Sequence, residues 1–423
     1  MSSTTTSAAP ATRPRLLALD GLRGIAIALV VLSHTWVLTQ MPDEGPGRVL
    51  MTSGNYAVAY FFAIGGFLAT RALLREVESR GQVRPAIFFV RRWIRISGQV
   101  YPLVIFVLVL TAIDANMETY RQSDTRASAW HIVTYTWNGY LREQAFFARP
   151  DLGHLWYVCT DIWVVGMIAL AVFLLRGRRV PLFVLFTAAA IVVYIFRRDV
   201  FVTESESAAL IRIHTRADGL LWGAAAAVAM PWLERLRPYA REIALACFVA
   251  LIPLMWGVNK TGFFTIWSLV LAVLLAALVA MIALGEPPML INGLLTNRWL
   301  VRLGEYSFAL YVWHYPVFWY ISRNYPDWSD TTRVIVGYLV MAVLALIVQR
   351  LIERPLVKWL SSDSWSVFSA GLLPGLRTLA TGRLKAARAK RTKAAASDDD
   401  YLELDAEDLT AEVPPDGAGD PRR

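Results

Sequence analysis

Residues 19–34 read LDGLRGIAIALVVLSH, an apolar run with an acid and a base near one end and a histidine at the other. With its apolar neighbours this run is long enough to cross about 30 Å of hydrocarbon. Arg23 and His34 are eleven residues apart, so on a helix they lie within about 20° of one face and about 16 Å apart along the axis. Ionisable residues inside a span are costly and often functional. The segment predicts a membrane helix that offers a cation and a titratable base at two depths.

The chain as a whole has the composition of a membrane protein. Of its 423 residues, 56% are hydrophobic and 18% charged, whereas soluble domains average about 45–50% apolar and about 25% charged. This excludes a disordered chain, a collagen-like repeat and a nucleic-acid-binding domain for most of the sequence. The two cysteines, Cys159 and Cys247, lie inside apolar runs and supply neither a disulfide framework nor zinc-site spacing. No metal site is expected.

Ten apolar stretches are long enough to span a membrane, which predicts an all-α, polytopic bundle of about ten transmembrane helices. The predicted spans are 17–39, 54–75, 98–113, 154–175, 180–196, 208–230, 240–257, 264–285, 303–323 and 332–352. The 76–97 loop is rich in arginine, whereas the 114–153 loop is slightly acidic. Cationic loops stay in the cytoplasm, so both the N- and C-termini are predicted to be cytoplasmic, in the inner or plasma membrane.

Composition divides the chain into three parts. Residues 1–15 are predicted to be a cytoplasmic N-terminal tail, residues 16–360 the membrane domain, and residues 361–423 a cytoplasmic C-terminal tail. Within the last part, 376–393 predicts a basic helix that would lie on an anionic leaflet. Residues 398–423 are acidic and contain proline and glycine, which is typical of disorder.

Polar residues recur in or beside four further predicted spans. They are Arg92 and Arg95 at the third, His154, Trp156 and Asp161 at the fourth, Arg216 and Asp218 at the sixth, and His314 at the ninth. Two arginines three residues apart share a helix face and match phosphate geometry, although positive-inside anchoring alone also explains them. Asp20 could likewise pair with Arg23, and a lone histidine is often structural. Recurrence in five spans favours a polar cavity inside the bundle.

Together these residues resemble acyltransferase family 3, the integral membrane acyltransferases that O-acylate cell-surface glycans and lipids. The family's Arg-x10-His signature resembles Arg23 and His34, and its RxxR pair resembles Arg92 and Arg95. Later motifs resemble His154-Leu155-Trp156 with Asp161, Arg216-x-Asp218 with Gly223, the segment 306–316 with His314, and Glu353-Arg354-Pro355. The family's second span resembles residues 61–67, with Gly65 where Ser is usual. The similarity runs from about residue 16 to about residue 356.

The resemblance implies a membrane acyltransferase domain over 16–360, of the class that transfers groups other than aminoacyl groups. It would move an acyl group, by default acetyl, from cytoplasmic acyl-CoA to a hydroxyl of an envelope glycolipid or polysaccharide. Acyl-CoA would be a co-substrate with no cofactor bound permanently, and the other partners would be the acceptor and the bilayer, not nucleic acid. In the resulting hypothesis His34 and Asp161 are catalytic, with His34 a base or acyl relay. Arg23, Arg92 and Arg95 bind CoA, while His154, Trp156, Arg216, Asp218 and His314 bind the acceptor.

A transporter of a lipid-linked sugar or an organic anion is the alternative. It fits ten spans and buried charges equally well. The sequence shows no inverted repeat of motifs between its two halves, which counts against it.

Overall fold

The structure is a computed structural model, and it describes residues 17–113, 122–257, 264–285, 289–362, 364–365 and 367–371. Within these residues the chain is helical and has no strand, so the predicted all-α fold is confirmed. The described residues belong to two units, which divide between Leu360 and Ser361. The predicted N-terminal tail at 1–15, the basic helix at 376–393 and the acidic segment at 398–423 lie outside the described residues.

The first unit contains long helices joined by short ones. In chain order they are α1 (Leu17–Ser33), α2 (Gly45–Thr52), α3 (Gly54–Arg80), α4 (Pro85–Ile113), α5 (Gln122–Val133), α6 (Trp137–Glu143), α7 (Trp156–Leu174), α8 (Arg179–Thr203), α9 (Glu206–Ile211), α10 (Ile213–Arg216), α11 (Asp218–Leu233), α12 (Ala240–Gly257), α13 (Ile266–Leu284), α14 (Met289–Leu295), α15 (Arg298–Glu305), α16 (Ser307–Asn324), α17 (Asp330–Val348) and α18 (Arg354–Leu360). Short 3-10 helices at Thr35–Val37, Pro150–Leu155 and Glu234–Tyr239 and a π-helix at Gln349–Glu353 extend or join them.

Eight helical stretches of the described chain are long and apolar enough to cross a membrane, as expected of a multi-pass membrane protein. Seven of them each overlap one predicted span, and the eighth, Asp218–Trp256, overlaps two. The remaining prediction, 303–323, corresponds to α16. This helix contains three tyrosines, two tryptophans and one histidine, which lower its hydropathy.

Two stretches differ from the predicted boundaries. Helix α4 begins at Pro85, well before the predicted span at 98–113. The first half of this helix is rich in arginine and therefore does not form a continuous apolar run. The predicted span 208–230 is divided into α9, α10 and α11. Arg212 has an extended backbone at one break, and the Thr215 hydroxyl donates to the carbonyls of Ala209 and Arg212. These side-chain bonds satisfy backbone groups that a continuous helix would satisfy internally.

Glycines allow two pairs of helices to touch backbone to backbone. A Cβ added at Gly24 would lie 2.2 Å from a carbonyl oxygen of α15, and one at Gly304 would lie 1.9 Å from a carbonyl oxygen of α1. Between α3 and α11, a Cβ at Gly66 or Gly223 would meet a carbonyl oxygen of the other helix at 2.0 or 2.1 Å. Small residues commonly allow such close approach between membrane helices. The glycines of the sequence motifs therefore fix the positions of α1 and α3.

Five helices enclose the space in which the site lies. Helices α1, α3, α7, α4 and α16 form a closed ring, in which each contacts the next and α16 contacts α1. All five contribute side chains to one cavity.

Candidate active site

The cavity inside this ring has a volume of about 220 Å³. Its wall contains all three arginines that the sequence predicted to bind CoA, together with the predicted catalytic acid. The polar side chains of the wall are those of Arg23, Arg92, Arg95, Tyr157, Asp161, Ser307 and Tyr311. Apolar residues of α3, α4, α7 and α16 complete it, so the cavity presents N–H and O–H donors and one carboxylate in an otherwise apolar space.

Asp161 holds Arg92 in a bidentate ion pair. The Arg92 Nε donates to Oδ2 of Asp161 at 3.0 Å, and Nη2 lies 2.6 and 2.7 Å from Oδ1 and Oδ2. The Asp161 side chain is 5% exposed and that of Arg92 is 26% exposed. Bidentate geometry fixes the orientation of the guanidinium. Asp161 therefore lies with the arginines, and it contacts none of His34, His154 and His314.

Arg95 is held by a second carboxylate. Its Nε and Nη2 lie 3.2 and 3.0 Å from Oε1 of Glu353, and Gln99 donates from Nε2 to Oε2 of Glu353 at 2.6 Å. Glu353 lies in the π-helical turn that follows α17 and is 4% exposed. Since half of the Arg95 side chain is exposed, it can reach a ligand at the rim of the cavity.

Arg23 is held more loosely than the other two arginines. It donates from Nη2 to the Ser307 hydroxyl at 2.9 Å, and its Nη1 lies 3.8 Å from the Asp20 carboxylate. The pairing of Asp20 with Arg23 considered from the sequence is thus present as a long contact. Arg23 nevertheless lines the cavity, where it adds a third guanidinium beside Arg92 and Arg95.

Three histidines from separate segments form a second cluster. His34 follows the last residue of α1, His154 lies in the 3-10 turn before α7, and His314 lies in α16. The ring centroids of His34 and His314 are 5.0 Å apart, and those of His154 and His314 are 5.4 Å apart. Tyr315 contacts both His34 and His154, at 4.7 and 5.2 Å. The fold therefore brings together residues that are far apart in sequence.

Backbone carbonyls hold each ring of this histidine cluster. Nδ1 of His34 lies 2.9 Å from the Val30 carbonyl oxygen, and Nε2 of His154 lies 3.1 Å from that of Val312. His314 places Nδ1 between the carbonyls of the preceding turn, 3.0 and 2.8 Å away. Among the described residues no carboxylate contacts the three rings. No group of three or more His, Cys, Asp or Glu side chains in that part of the chain could hold a metal ion.

A buried ion pair supports the turn that carries His154. Arg149 is 0% exposed and Asp151 is 2% exposed. The Arg149 Nε and Nη2 donate to Oδ1 and Oδ2 of Asp151 at 2.9 and 2.5 Å, and Nη1 donates to hydroxyls of α4 and α5. On the other side, the Tyr311 hydroxyl donates to the His154 carbonyl. The turn is thereby attached to α4, α5 and α16.

Tyr157 and Tyr311 separate the cavity from the histidine cluster. Both line the cavity, and their ring centroids are 5.2 Å apart. The other side of Tyr311 faces His154 at 5.3 Å and His314 at 6.1 Å. The arginine cavity and the histidine cluster therefore share one wall, and α1 contributes Arg23 to the first and His34 to the second.

The remaining predicted acceptor residues lie in a third group. The Arg216 guanidinium carbon lies 5.1 Å from the Trp156 ring centroid, a cation–π geometry. Asp218 accepts a bond from Nη1 of Arg197 at 2.7 Å, and Nη2 of Arg197 donates to the Ser268 hydroxyl at 2.7 Å. Trp156 connects this group to the cavity through its contact with Tyr157, at a centroid distance of 6.4 Å.

Sequence reasoning did not find several of these residues. They are Arg149, Asp151, Tyr157, Arg197, Ser307 and Tyr311. Arg197 directly follows the predicted span 180–196 and is not among the predicted site residues. A carboxylate inside a span, such as Asp218, requires a counter-charge, and this requirement could have indicated Arg197 as its partner. Arg149 and Asp151 lie in the predicted 114–153 loop, so the sequence did not indicate that they are buried.

Known proteins with similar sequences indicate the family to which this chain belongs. A family model described as an acyltransferase domain, that of acyltransferase family 3, matches residues 16–350. O-acetyltransferase OatA of Staphylococcus aureus strain COL is 25% identical over 365 residues, which are 82% of this chain and 58% of OatA. Putative O-acetyltransferase SACOL0978 of the same strain is 24% identical over 362 residues, which are 80% of this chain and 57% of that protein.

The chain thus spans less than two thirds of the length of these relatives. No solved structure matches it. The family match covers most of the chain and includes every residue of the arginine cavity and the histidine cluster. The resemblance noted in the sequence is confirmed, and this multi-pass membrane protein belongs to acyltransferase family 3.

Proposed function

We propose that this protein is an O-acetyltransferase of the cell membrane. It transfers an acetyl group from cytoplasmic acetyl-CoA to a hydroxyl of a cell-envelope glycan or glycolipid, and it belongs to the enzymes that transfer groups other than aminoacyl groups. The observation that carries the proposal is the shared wall between a cavity with three arginines and a cluster of three histidines. The names of the OatA relatives, which are O-acetyltransferases, support the choice of acetyl.

The arginine cavity suits the anionic part of the donor. Guanidinium groups bind phosphate through parallel N–H bonds, and Arg23, Arg92 and Arg95 all line the cavity. The phosphates of CoA would bind at this end, and the arm that carries the thioester would pass Tyr157 and Tyr311 towards His34. The open end of the cavity then faces the cytoplasm, as the predicted orientation of α1 requires.

His34 has the chemistry for the transfer step. In the proposed reaction its Nε2 takes the proton of the acceptor hydroxyl as the oxygen attacks the thioester carbonyl. The carbon–sulfur bond breaks, the CoA thiolate leaves, and it takes the proton back from His34. A neutral N–H or O–H of the surrounding wall stabilises the oxyanion of the tetrahedral intermediate, and we assign this role to Tyr157, which lines the cavity.

The test uses inverted membrane vesicles that receive acetyl-CoA labelled in the acetyl group. Wild type should place label in an alkali-labile envelope lipid or glycan, whereas His34→Ala at matched expression should lose at least about 100-fold of the initial rate. The fold should remain, because His34 is half-buried at the end of α1. The control is His214→Ala, which replaces an exposed histidine of α10.

Two results would contradict the proposal. Near-normal transfer by His34→Ala would remove His34 from the catalytic machinery. Absence of both transfer and CoA binding in wild type would favour the transporter alternative.

A further inference from the structure

We propose that His314 is a positioning residue that fixes the tautomer of His34, so that Nε2 of His34 is the base. The proposal rests on the proposed function, in which His34 takes the acceptor proton. It moves His314 from the acceptor-binding group to a role behind the catalytic ring. The tautomers of both rings are set by the nitrogens that face groups able only to accept a hydrogen bond.

His314 comes first in this chain of bonds. Its Nδ1 lies 3.0 Å from the Leu310 carbonyl oxygen and 2.8 Å from that of Tyr311. A carbonyl oxygen can only accept, so Nδ1 of His314 carries the hydrogen. A neutral imidazole has one N–H, and the ring is 0% exposed with no carboxylate against it in the described chain. Nε2 of His314 is therefore a hydrogen-bond acceptor.

The bond to His34 follows from this assignment. Nε2 of His314 lies 3.1 Å from Nδ1 of His34, and the Val30 carbonyl oxygen lies 2.9 Å from the same Nδ1. Both neighbours are acceptors, so the hydrogen of His34 is on Nδ1. The opposite tautomer would set the Nδ1 lone pair of His34 against the lone pairs of both neighbours and would leave Nε2 of His314 without a donor, which is costly for a buried polar group.

Nε2 of His34 is consequently unprotonated in the resting protein. No described residue donates to or accepts from it, whereas every other nitrogen of the His34–His314 pair has a partner. An accessible lone pair at this atom is what a general base needs. When Nε2 takes the proton of the substrate hydroxyl, the His34 ring becomes cationic. Its Nδ1–H bond to His314 then becomes charge-assisted and stronger.

His314 thus does for His34 what the aspartate does for the histidine of a Ser-His-Asp triad, in which the carboxylate orients the ring and selects its tautomer. In this protein the hydrogen-bond acceptor behind the catalytic ring is the neutral imidazole of His314. No negative charge has to be buried beside the reacting groups, where an unpaired carboxylate would be costly to desolvate. His314 contacts neither donor nor acceptor in this assignment.

The test compares His314→Gln with His314→Leu in the labelled acetyl-CoA assay. A glutamine places an amide oxygen near the position of Nε2 and so keeps an acceptor for Nδ1–H of His34, whereas leucine fills the space without one. We expect His314→Leu to lower kcat at least about 100-fold, and His314→Gln to stay within about tenfold of wild type. The apparent KM for acetyl-CoA should stay within about threefold for both, because the arginine cavity is intact. His214→Leu is the matched control.

Each other outcome would overturn the assignment. Equal losses of kcat in His314→Gln and His314→Leu would show that His314 acts through packing. A raised KM with unchanged kcat would show a binding role, and a normal kcat for His314→Leu would show that the bond is dispensable. If His34→Ala abolishes transfer in the same membranes, the proposed function survives any of these results. If wild type itself transfers no label, both proposals fail.

Discussion

The arginine cavity and the histidine cluster lie on opposite sides of Tyr311, and their polar groups are held by different means. At the cavity, Arg92 and Arg95 are each held by a carboxylate, through contacts of 2.6 and 3.0 Å to Asp161 and Glu353. At the cluster, backbone carbonyls hold the histidines. Ion pairs keep fixed charges in place for an anionic ligand, whereas carbonyls leave the imidazoles neutral and one lone pair on each ring.

This difference suggests that the arginine cavity and the histidine cluster have separate roles. In the proposed function, contacts at the cavity act on the binding of the donor, and contacts at the cluster act on the chemical step. In kinetic terms, changes at the first should alter KM, and changes at the second should alter kcat. Substitutions at three places test this difference, in addition to those at His34 and His314: the Arg149–Asp151 pair, the Arg92–Asp161 pair and Gly65.

The largest effect is expected at the pair Arg149–Asp151, which attaches the histidine cluster to the rest of the fold. Replacing Asp151 by alanine removes the carboxylate from an arginine that is 0% exposed. Breaking such a pair costs about 3–5 kcal/mol of stability, and the turn that carries His154 should lose its position. We expect a large fall in the thermal unfolding midpoint in detergent and a fall in kcat.

The control for Asp151→Ala is Glu143→Ala. Glu143 pairs with Arg142, and their side chains are 62% and 42% exposed, so this variant should behave like wild type. Normal stability and normal kcat in Asp151→Ala would show that the histidine cluster is held independently of the buried pair.

An intermediate effect is expected from the pair Arg92–Asp161 at the cavity. Arg92→Ala and Asp161→Ala should each raise the KM for acetyl-CoA by about tenfold, equivalent to about 1.4 kcal/mol, with little change in kcat. The KM of the double variant should not exceed that of either single variant, because each single substitution already removes the oriented guanidinium. A double-mutant cycle on initial rates measures the coupling. If Asp161→Ala lowers kcat while Arg92→Ala does not, Asp161 has the catalytic role that the sequence suggested.

The sequence predicted the helices better than their connections. Apolar length identified the spans because hydrocarbon requires it, and it failed where polar segments continue a helix, as in the first half of α4. It also missed the helices between Ile113 and Trp156, where amphipathic or polar turns are held by tertiary contacts such as the bond from Trp163 Nε1 to the Tyr135 carbonyl at 2.9 Å.

For the site, the motifs predicted a set of candidate residues and left open which of them contact one another. The spacing of Arg23 and His34 on one helix is a local property and could be read directly. The partners of Asp161 and Asp218 could not, because Arg92 and Arg197 approach them from other helices. Nor could the sequence show that His314 contacts His34, since the contact bridges 280 residues.

The smallest effect is expected at Gly65, in the wall of the cavity. A Cβ at this position would lie 3.6 Å from Leu220 and 3.7 Å from Oδ1 of Asp161, which is ordinary van der Waals contact. Gly65→Ala should therefore change stability by less than about 0.5 kcal/mol and leave the kinetics nearly unchanged. At the neighbouring Gly66, a Cβ would lie 2.0 Å from a carbonyl oxygen of α11, so Gly66→Ala should lower stability clearly, whereas Gly65→Ala should not. A disturbed KM in Gly65→Ala would mean that the donor passes against this wall.

Helix α1 also keeps Arg23 and His34 at a fixed distance from each other. Its backbone is pressed against α15 at Gly24 and Gly304, so the helix cannot slide, and the rise of about 16 Å between Arg23 and His34 is constant. A donor anchored by its phosphates at one end must carry its thioester on an arm that covers this length. The fold would therefore select donors by reach as well as by charge, and a short thioester would be rejected even though its reacting carbonyl is the same.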